Sequence, residues 1–392
     1  MKIWPAAFFL LPLLAGCGIP RPTAFYRQPA QPAAPHGALV SVQPFIPSVH
    51  GASAYRVLYN SETIHGRIIP VSGVVYVPST PAPPGGRNVV AWAHPTTGIA
   101  PGCAPSLDTG VIGGLTMAGS IPGLKDFIAA GDVVAATDYQ GMGVTDAGAN
   151  PYLIGQSEGQ NVLDSVLAAR RLPGADLSGK FVVWGHSQGG QAALFAGQLA
   201  ASYTPALHLV GVAAAAPPTD MLGELTAPFK SNSGRLLAAY IYYSWSLTYH
   251  VPITSVVAPQ VVPAVQVAVR KCINTIGEGI SALIAAKALN PLFWDHPPQS
   301  TPPWPGLLNE NSPGNAPPGG PLLIVQGLKD TTVEPHWTES FVTAACGRHE
   351  VVDFKKLKGV SHLLVAYKSA PLVAQWMAAR FAGEKAPDNC PG

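Results

Sequence analysis

Phe181-Val182-Val183-Trp184-Gly185-His186-Ser187-Gln188-Gly189-Gly190 is the stretch on which the reading of this chain turns. Four apolar residues with high strand propensity run straight into a glycine, and an Ala-rich helical pattern follows from Ser187 to Ala201. G-x-S-x-G between a strand and a helix is the signature of a nucleophile elbow. The reason is steric. Gly185 and Gly189 lie two residues either side of the serine, where a Cβ would strike neighbouring backbone. The tight turn lifts the hydroxyl clear of the sheet, and the helix that follows aims its N-terminus at the site, which favours developing negative charge. Ser187 is therefore the candidate nucleophile, and the backbone N–H of Gln188 a candidate oxyanion donor.

Outward from this elbow the chain alternates. Strands are expected at Val89–Ala93, Val133–Thr137 and Leu209–Ala213, and helices at Leu124–Ala130 and Ser157–Arg171, the latter with Val162, Val166 and Leu167 at helical spacing. Short β-rich runs, Tyr55–Tyr59 and Gly73–Val77, come before them. The alternation stops near Pro217 and resumes with a strand at Leu322–Gln326, a helix at Trp337–Cys346, a strand at Val351–Phe354 and a helix at Leu364–Phe381. The fold class this implies is α/β, with a mostly parallel central sheet and helices on both faces. The core is expected over 39–217 and 321–392, with 218–320 an inserted, mainly helical cap. Within the cap Ala238–Trp245 and Ala264–Leu289 read as helical, and the Pro-rich 294–321 as irregular. Val251–Val269 carries no charge, but Pro252, Pro259 and Pro263 argue against a membrane span.

A serine hydroxyl needs a base. His362, in Gly359-Val360-Ser361-His362 after the last expected strand, is the candidate, ahead of His349, His336 and His296. The acid that orients it is expected after the preceding strand, where Gly327-Leu328-Lys329-Asp330 supplies Asp330, with Glu334 as the alternative. The chain order Ser, Asp, His is that of the α/β-hydrolases. A second oxyanion donor belongs in His94-Pro95-Thr96-Thr97-Gly98, where Pro95 has no N–H, leaving Thr96 or Thr97. Asp138 and His94 are read as structural, and His186 as pointing away from the serine.

Composition narrows the function. Hydrophobic residues are 47% of the 392 and charged residues 11%, so a large core can form. The net charge of +2, without a Lys/Arg run, gives no electrostatic basis for nucleic-acid binding. No His/Asp/Cys cluster has metal-ligand spacing, and no cofactor is called for. At the N-terminus, Lys2 precedes an apolar stretch ending in Leu14-Ala15-Gly16-Cys17, which resembles the lipobox of bacterial lipoproteins. That resemblance implies a signal peptide over 1–16 and lipidation of Cys17, with Gly18 favouring the outer membrane of a Gram-negative cell envelope. Residues 17–38, rich in Pro and Ala, then read as a tether. Four cysteines remain, Cys103, Cys272, Cys346 and Cys390, enough for two disulfides in an exported protein, with three connectivities open.

Taken together, Ala91-Trp92-Ala93-His94-Pro95-Thr96-Thr97-Gly98, Cys103-Ala104-Pro105-Ser106, Asp138-Tyr139-Gln140-Gly141, the elbow, Asp330 and His362 resemble the secretory lipase family, the fungal lipase A type with bacterial relatives. The resemblance spans about residues 45 to 390. It implies an α/β-hydrolase fold, a helical cap over an acyl pocket, and ester substrates, often long-chain triacylglycerols. It also implies Thr97 as the oxyanion donor and the pairs Cys103–Cys272 and Cys346–Cys390. Pro95 departs from the family, many of whose members have Gly there. The expectation is a monomeric serine ester hydrolase acting on lipid or ester through an acyl-enzyme on Ser187. The alternatives are a short-chain or polyester carboxylesterase, an acyltransferase, and a non-catalytic lipid-binding surface lipoprotein.

Overall fold

The structure, a computed structural model, describes residues 23–27, 33–45, 49–107, 121–144, 148–226, 231–289 and 295–390. Cys17 and the expected signal segment lie outside the described residues.

The chain forms a nine-stranded sheet. It enters through β1 (Leu39–Pro44), β2 (Ala52–Glu62) and β3 (Ile68–Pro78), which pair antiparallel. Then come β4 (Arg87–Ala93), α1 (Leu124–Ala130), β5 (Val133–Thr137), α2 (Gly155–Ala169), β6 (Leu177–His186), α3 (Gln188–Tyr203) and β7 (His208–Ala215). The spatial order is β1-β2-β3-β5-β4-β6-β7, continued by β8 (Leu322–Gly327) and β9 (Val352–Leu357). From β5 to β9 every neighbouring pair is parallel. β6 sits between β4 and β7, so the elbow emerges from the buried middle of the sheet.

The strand sequences explain the layers. On β6, Phe181 and Val183 face one side, among Val162 of α2 and Ala192 and Ala196 of α3. Val182 and Trp184 face the other side, with Phe127 of α1 and with Val373 and Met377 of α10 (Val365–Phe381). A strand buried on both faces must be apolar at every position, which is why this run is continuous rather than alternating. Each fully buried residue of this size contributes about 1.5–3 kcal/mol.

Between β7 and β8 the chain leaves the sheet and builds α4 (Met221–Thr226), α5 (Asn232–Thr248), α6 (Val262–Ala268), α7 (Ile276–Ala286) and α8 (Trp304–Glu310). α5 and α7 are capped by Ser231 and Thr275, the latter in a full capping box with Glu278. These helices have their own apolar cluster, with Tyr240, Tyr242, Trp245 and Trp304 all buried. Trp245 stacks on Trp304 with ring centroids 6.4 Å apart. α9 (Pro335–Gly347) follows β8 and packs against β8 and β9.

The structure departs from expectation in three places. The Pro-rich 294–321 was expected to be irregular, yet it contains α8. Proline is tolerated in the first turn of a helix, where its missing N–H has no partner to lose, and Pro305 sits there. The expected helix over Ala264–Leu289 is split into α6 and α7 by a link containing Cys272. The stretch read as a tether is docked wherever it is described. Tyr26 is buried and shares a 2.7 Å hydrogen bond with Ser106, and His36 Nδ1 lies 2.6 Å from the Asp164 carboxylate. Aromatic and polar side chains among the prolines make this docking favourable. Val251–Val269 is broken into short turns and α6, and among the described residues no helix is long and apolar enough to cross a membrane.

Candidate active site

Ser187 has φ 55° and ψ −122°, a conformation costly for any residue with a Cβ. It persists because its surroundings leave no alternative. A Cβ on Gly185 would lie 1.9 Å from the Gly189 carbonyl oxygen, and one on Gly189 would lie 1.9 Å from that of Ala93. The Ser187 N–H donates to the Ala215 carbonyl of β7, and the Ser187 carbonyl accepts from Gly190 and Gln191, starting α3.

Three side chains from distant segments meet there. His362 Nε2 is 2.8 Å from Ser187 Oγ, and its Nδ1 is 2.7 Å from Asp330 Oδ2. Asp330 follows β8 and is held by backbone. Its Oδ1 accepts the N–H groups of Thr332 and Val333, both at 2.9 Å, and its Oδ2 also accepts from Gln326 Nε2 at 3.2 Å. His186, beside Ser187, donates from Nε2 to the carbonyl of His362 at 3.0 Å. Burial, with the nearby His362 ring, pushes the His186 ring down to about 3. It is therefore neutral and fixes the loop that carries His362. His349, His336 and His296 have no contact with this group in any hydrogen bond of the described residues.

Of the two oxyanion candidates, Thr96 lines the cavity beside Ser187, and its Oγ1 shares a 2.7 Å hydrogen bond with Tyr152 OH. Thr97 turns its side chain into the body, fully buried, and its carbonyl accepts from Ile273 N at 2.9 Å. The Thr97 N–H belongs to the peptide joining these two residues. Gln188 is buried, its Nε2 donating to Glu158 Oε1 at 2.6 Å. Burial lifts Glu158 to about 8. Its signal in the sequence is slight: it lies one turn before Val162, on the face of α2 that is buried.

The polar residues of the 94–98 and 138–141 segments form scaffolding behind this loop. Asp138 accepts hydrogen bonds from Ser106 N, Ser72 Oγ and Ser106 Oγ, and burial pushes it upward. His94 Nδ1 bonds the Pro95 carbonyl at 2.7 Å, burial pushing the ring downward. The Cys103–Cys272 disulfide staples the end of the loop that carries Thr96 and Thr97 to the α6–α7 link, and Cys346–Cys390 ties the C-terminal segment to α9. Above Ser187 lies a cavity of about 330 Å³, lined by Trp92, Pro95, Pro122, Leu236, Leu237, Ile273, Leu283 and Leu363. α5 and α7 supply part of this apolar wall.

The family profile described as secretory lipase matches residues 117–247, which include the elbow. The chain is similar to the secretory lipases and has an α/β-hydrolase fold. It is 24% identical to Lipase A of Arthroderma benhamiae over 98% of this chain and 85% of that protein. It is also 24% identical, over 86% of this chain and 75% of the other, to a Mycobacterium tuberculosis protein described as a probable inactive lipase. The structure of Candida antarctica lipase A in its closed state superposes with a TM-score of 0.72 at 18% identity, covering 94% of this chain and 87% of that one. The two disulfides accord with export.

Proposed function

We propose that Ser187, His362 and Asp330 are the catalytic triad of a triacylglycerol lipase that works through an acyl-enzyme. One observation carries the reading: an unbroken run of hydrogen bonds from Ser187 Oγ through His362 to Asp330, at the floor of an apolar cavity. His362 Nε2 takes the hydroxyl proton as Oγ attacks the ester carbonyl. Asp330 holds the imidazole in the tautomer with a proton on Nδ1 and stabilises its cationic form. Charge developing on the carbonyl oxygen is met by the N–H of Gln188 and that of Thr97, on the Thr96–Thr97 peptide. His362 then returns the proton to the leaving alcohol, which departs. Water, deprotonated by the same ring, releases the acid.

The helices of 218–320 act as the cap, with Leu236, Leu237 and Leu283 providing the apolar surface for an acyl chain. The Leu14-Ala15-Gly16-Cys17 motif supports cleavage before Cys17 and anchoring by its lipid. Replacing Cys17 by Ser and following incorporation of labelled palmitate tests that anchor.

The activity test compares wild type with Ser187→Ala. A fluorophosphonate probe should label wild type alone, and only wild type should clear tributyrin and triolein emulsions. The probable inactive relative makes the labelling arm decisive, because an unreactive Ser187 would leave a lipid-binding protein. A p-nitrophenyl ester series with rates falling sharply beyond acetate would turn the reading to a short-chain esterase.

A further inference from the structure

A buried carboxyl group that the mechanism above does not use lies directly behind the oxyanion pocket. Glu158, near the start of α2, is fully buried. Its Oε1 accepts from Gln188 Nε2 at 2.6 Å and from the Leu153 N–H at 2.8 Å. Leu153 has φ 56°, a left-handed conformation unusual for a leucine, so the 152–154 turn is held against a local preference. The same turn reaches the opposite side of the pocket, where Tyr152 OH bonds Thr96 Oγ1 at 2.7 Å. It is braced from behind as well. Gln191 Nε2 donates to the Leu153 carbonyl, Trp245 Nε1 donates to the Tyr152 carbonyl, and Ser244 Oγ accepts from Tyr152 N.

We infer that Glu158 is a positioning residue for ester hydrolysis. Its carboxyl group ties Gln188, next to the nucleophile, to the turn that carries Tyr152 and hence Thr96, and so sets the spacing between the two oxyanion loops. The inference rests on the reading of Ser187 as nucleophile. Its physical basis is that displacing a donor by about 1 Å can cost roughly 10²-fold in rate. A carboxyl group suits the place better than an apolar residue, because Gln188 Nε2 and Leu153 N are buried donors that would otherwise lose an acceptor. The titratable groups facing Glu158 are Tyr139 and Tyr152, both pushed well above the ordinary tyrosine range by burial, so neither ionises near neutral pH. Burial lifts Glu158 itself to about 8, so at pH 7 the carboxyl group is neutral. As pH rises through that value, a negative charge appears beside the site where the oxyanion must form.

The test uses the full chain with a soluble p-nitrophenyl ester, and measures kcat and KM from pH 6 to 9.5 for wild type, E158Q and E158A. Labelling of Ser187 by the fluorophosphonate is scored in parallel. In E158A, kcat should fall roughly 10–100-fold with KM within threefold, because binding of the ground-state ester is untouched. E158Q, which keeps an acceptor for both donors, should stay within about threefold of wild type at pH 6.5. Wild type should lose kcat roughly tenfold as pH rises through about 8, and E158Q should lack that loss. An E158A kcat within threefold of wild type would overturn the inference, as would the same alkaline loss in E158Q. Should E158A fail to fold, E158Q and its pH profile still decide. A wild type that neither turns over ester nor takes the probe overturns the nucleophile reading instead, a result distinguishable from both.

Discussion

Removing the Cys103–Cys272 bridge should cost this enzyme both stability and rate, whereas removing Cys346–Cys390 should cost stability alone. The first bridge spans 169 residues and the second 44. If a cross-link acts by restricting the unfolded chain, loops of these lengths correspond to about 5 and about 4 kcal/mol. Engineered and native bridges often deliver less, so these are upper figures. For a domain of this size 1 kcal/mol moves Tm by roughly 1–2 °C, so the double Cys→Ser variants should lose up to roughly 5–10 °C and roughly 4–8 °C respectively. The effect on rate separates the two. Cys103 follows directly on the oxyanion loop, and a Cβ added to Gly98 would lie 2.6 Å from its sulfur, so the loop is moulded around the bridge. Without it, the loop would retain the Ile273-to-Thr97 backbone bond and that from Asn274 Nδ2 to the Cys103 carbonyl. A partial loss is therefore expected: kcat down about tenfold on a soluble ester, read at a temperature where both variants remain folded by circular dichroism. Cys346 and Cys390 lie at the far edge of the sheet, beside β9, and the corresponding variant should keep kcat within twofold. A C103S/C272S protein with the expected drop in Tm but unchanged kcat would refute the claim that this bridge holds the oxyanion loop.

Asp330→Asn should fold normally yet lose about 10⁴-fold in kcat. Two backbone N–H groups hold the amide oxygen at the Oδ1 position, so the amide NH₂ faces His362 Nδ1 and favours the tautomer protonated on Nε2, which cannot accept the serine proton; a loss under tenfold on the p-nitrophenyl ester would contradict the triad. Gly189→Ala puts a methyl group 1.9 Å from the Ala93 carbonyl oxygen, a backbone contact that no rotamer change relieves. Fluorophosphonate labelling should slow by at least 10²-fold, and Tm should fall by several degrees. His36→Ala should destabilise more in mild acid than in mild base. The hydrogen bond to Asp164 raises the His36 ring above its usual 6.5, so its stabilisation is complete below that value and fades as pH rises through the folded-state value. Equal Tm losses at pH 5.5 and pH 9 would show that the pair does not act through that charge.

What could be read along the chain was what is encoded locally. The elbow lies within ten consecutive residues because strand, strained turn and helix follow one another without interruption. Asp330 and His362 could be placed because each sits in a turn immediately after a strand of the parallel sheet, and all such turns open on one edge. Thr96 and Thr97 could not be separated from the residues alone. The distinction between them depends on which side chain meets Tyr152 and which carbonyl meets Ile273, partners 56 and 176 positions away. α8 escaped notice because prolines in a helix's first turn look, in sequence, like prolines that forbid one.

Glu158 marks the limit of that kind of reading. An acidic residue in a predicted helix is normally taken as part of the solvated face, and α2 offers only its spacing from Val162 as a hint otherwise. Its role depends on Gln188, thirty residues on, and on a turn whose backbone no propensity scale would favour. The same holds for His186, which propensity leaves as an inert neighbour of the nucleophile until the His362 carbonyl is seen at its Nε2. In both cases the side chain acts on a catalytic loop rather than on substrate. Groups that react are constrained in type and turn, and so leave a local trace. Groups that merely hold them need only reach, and many residue types at many positions can do that. This asymmetry explains why Ser187, Asp330 and His362 leave a local trace in the sequence, and why the residues that set their geometry emerge only once the sheet has brought α2, α3 and the loop after β4 together.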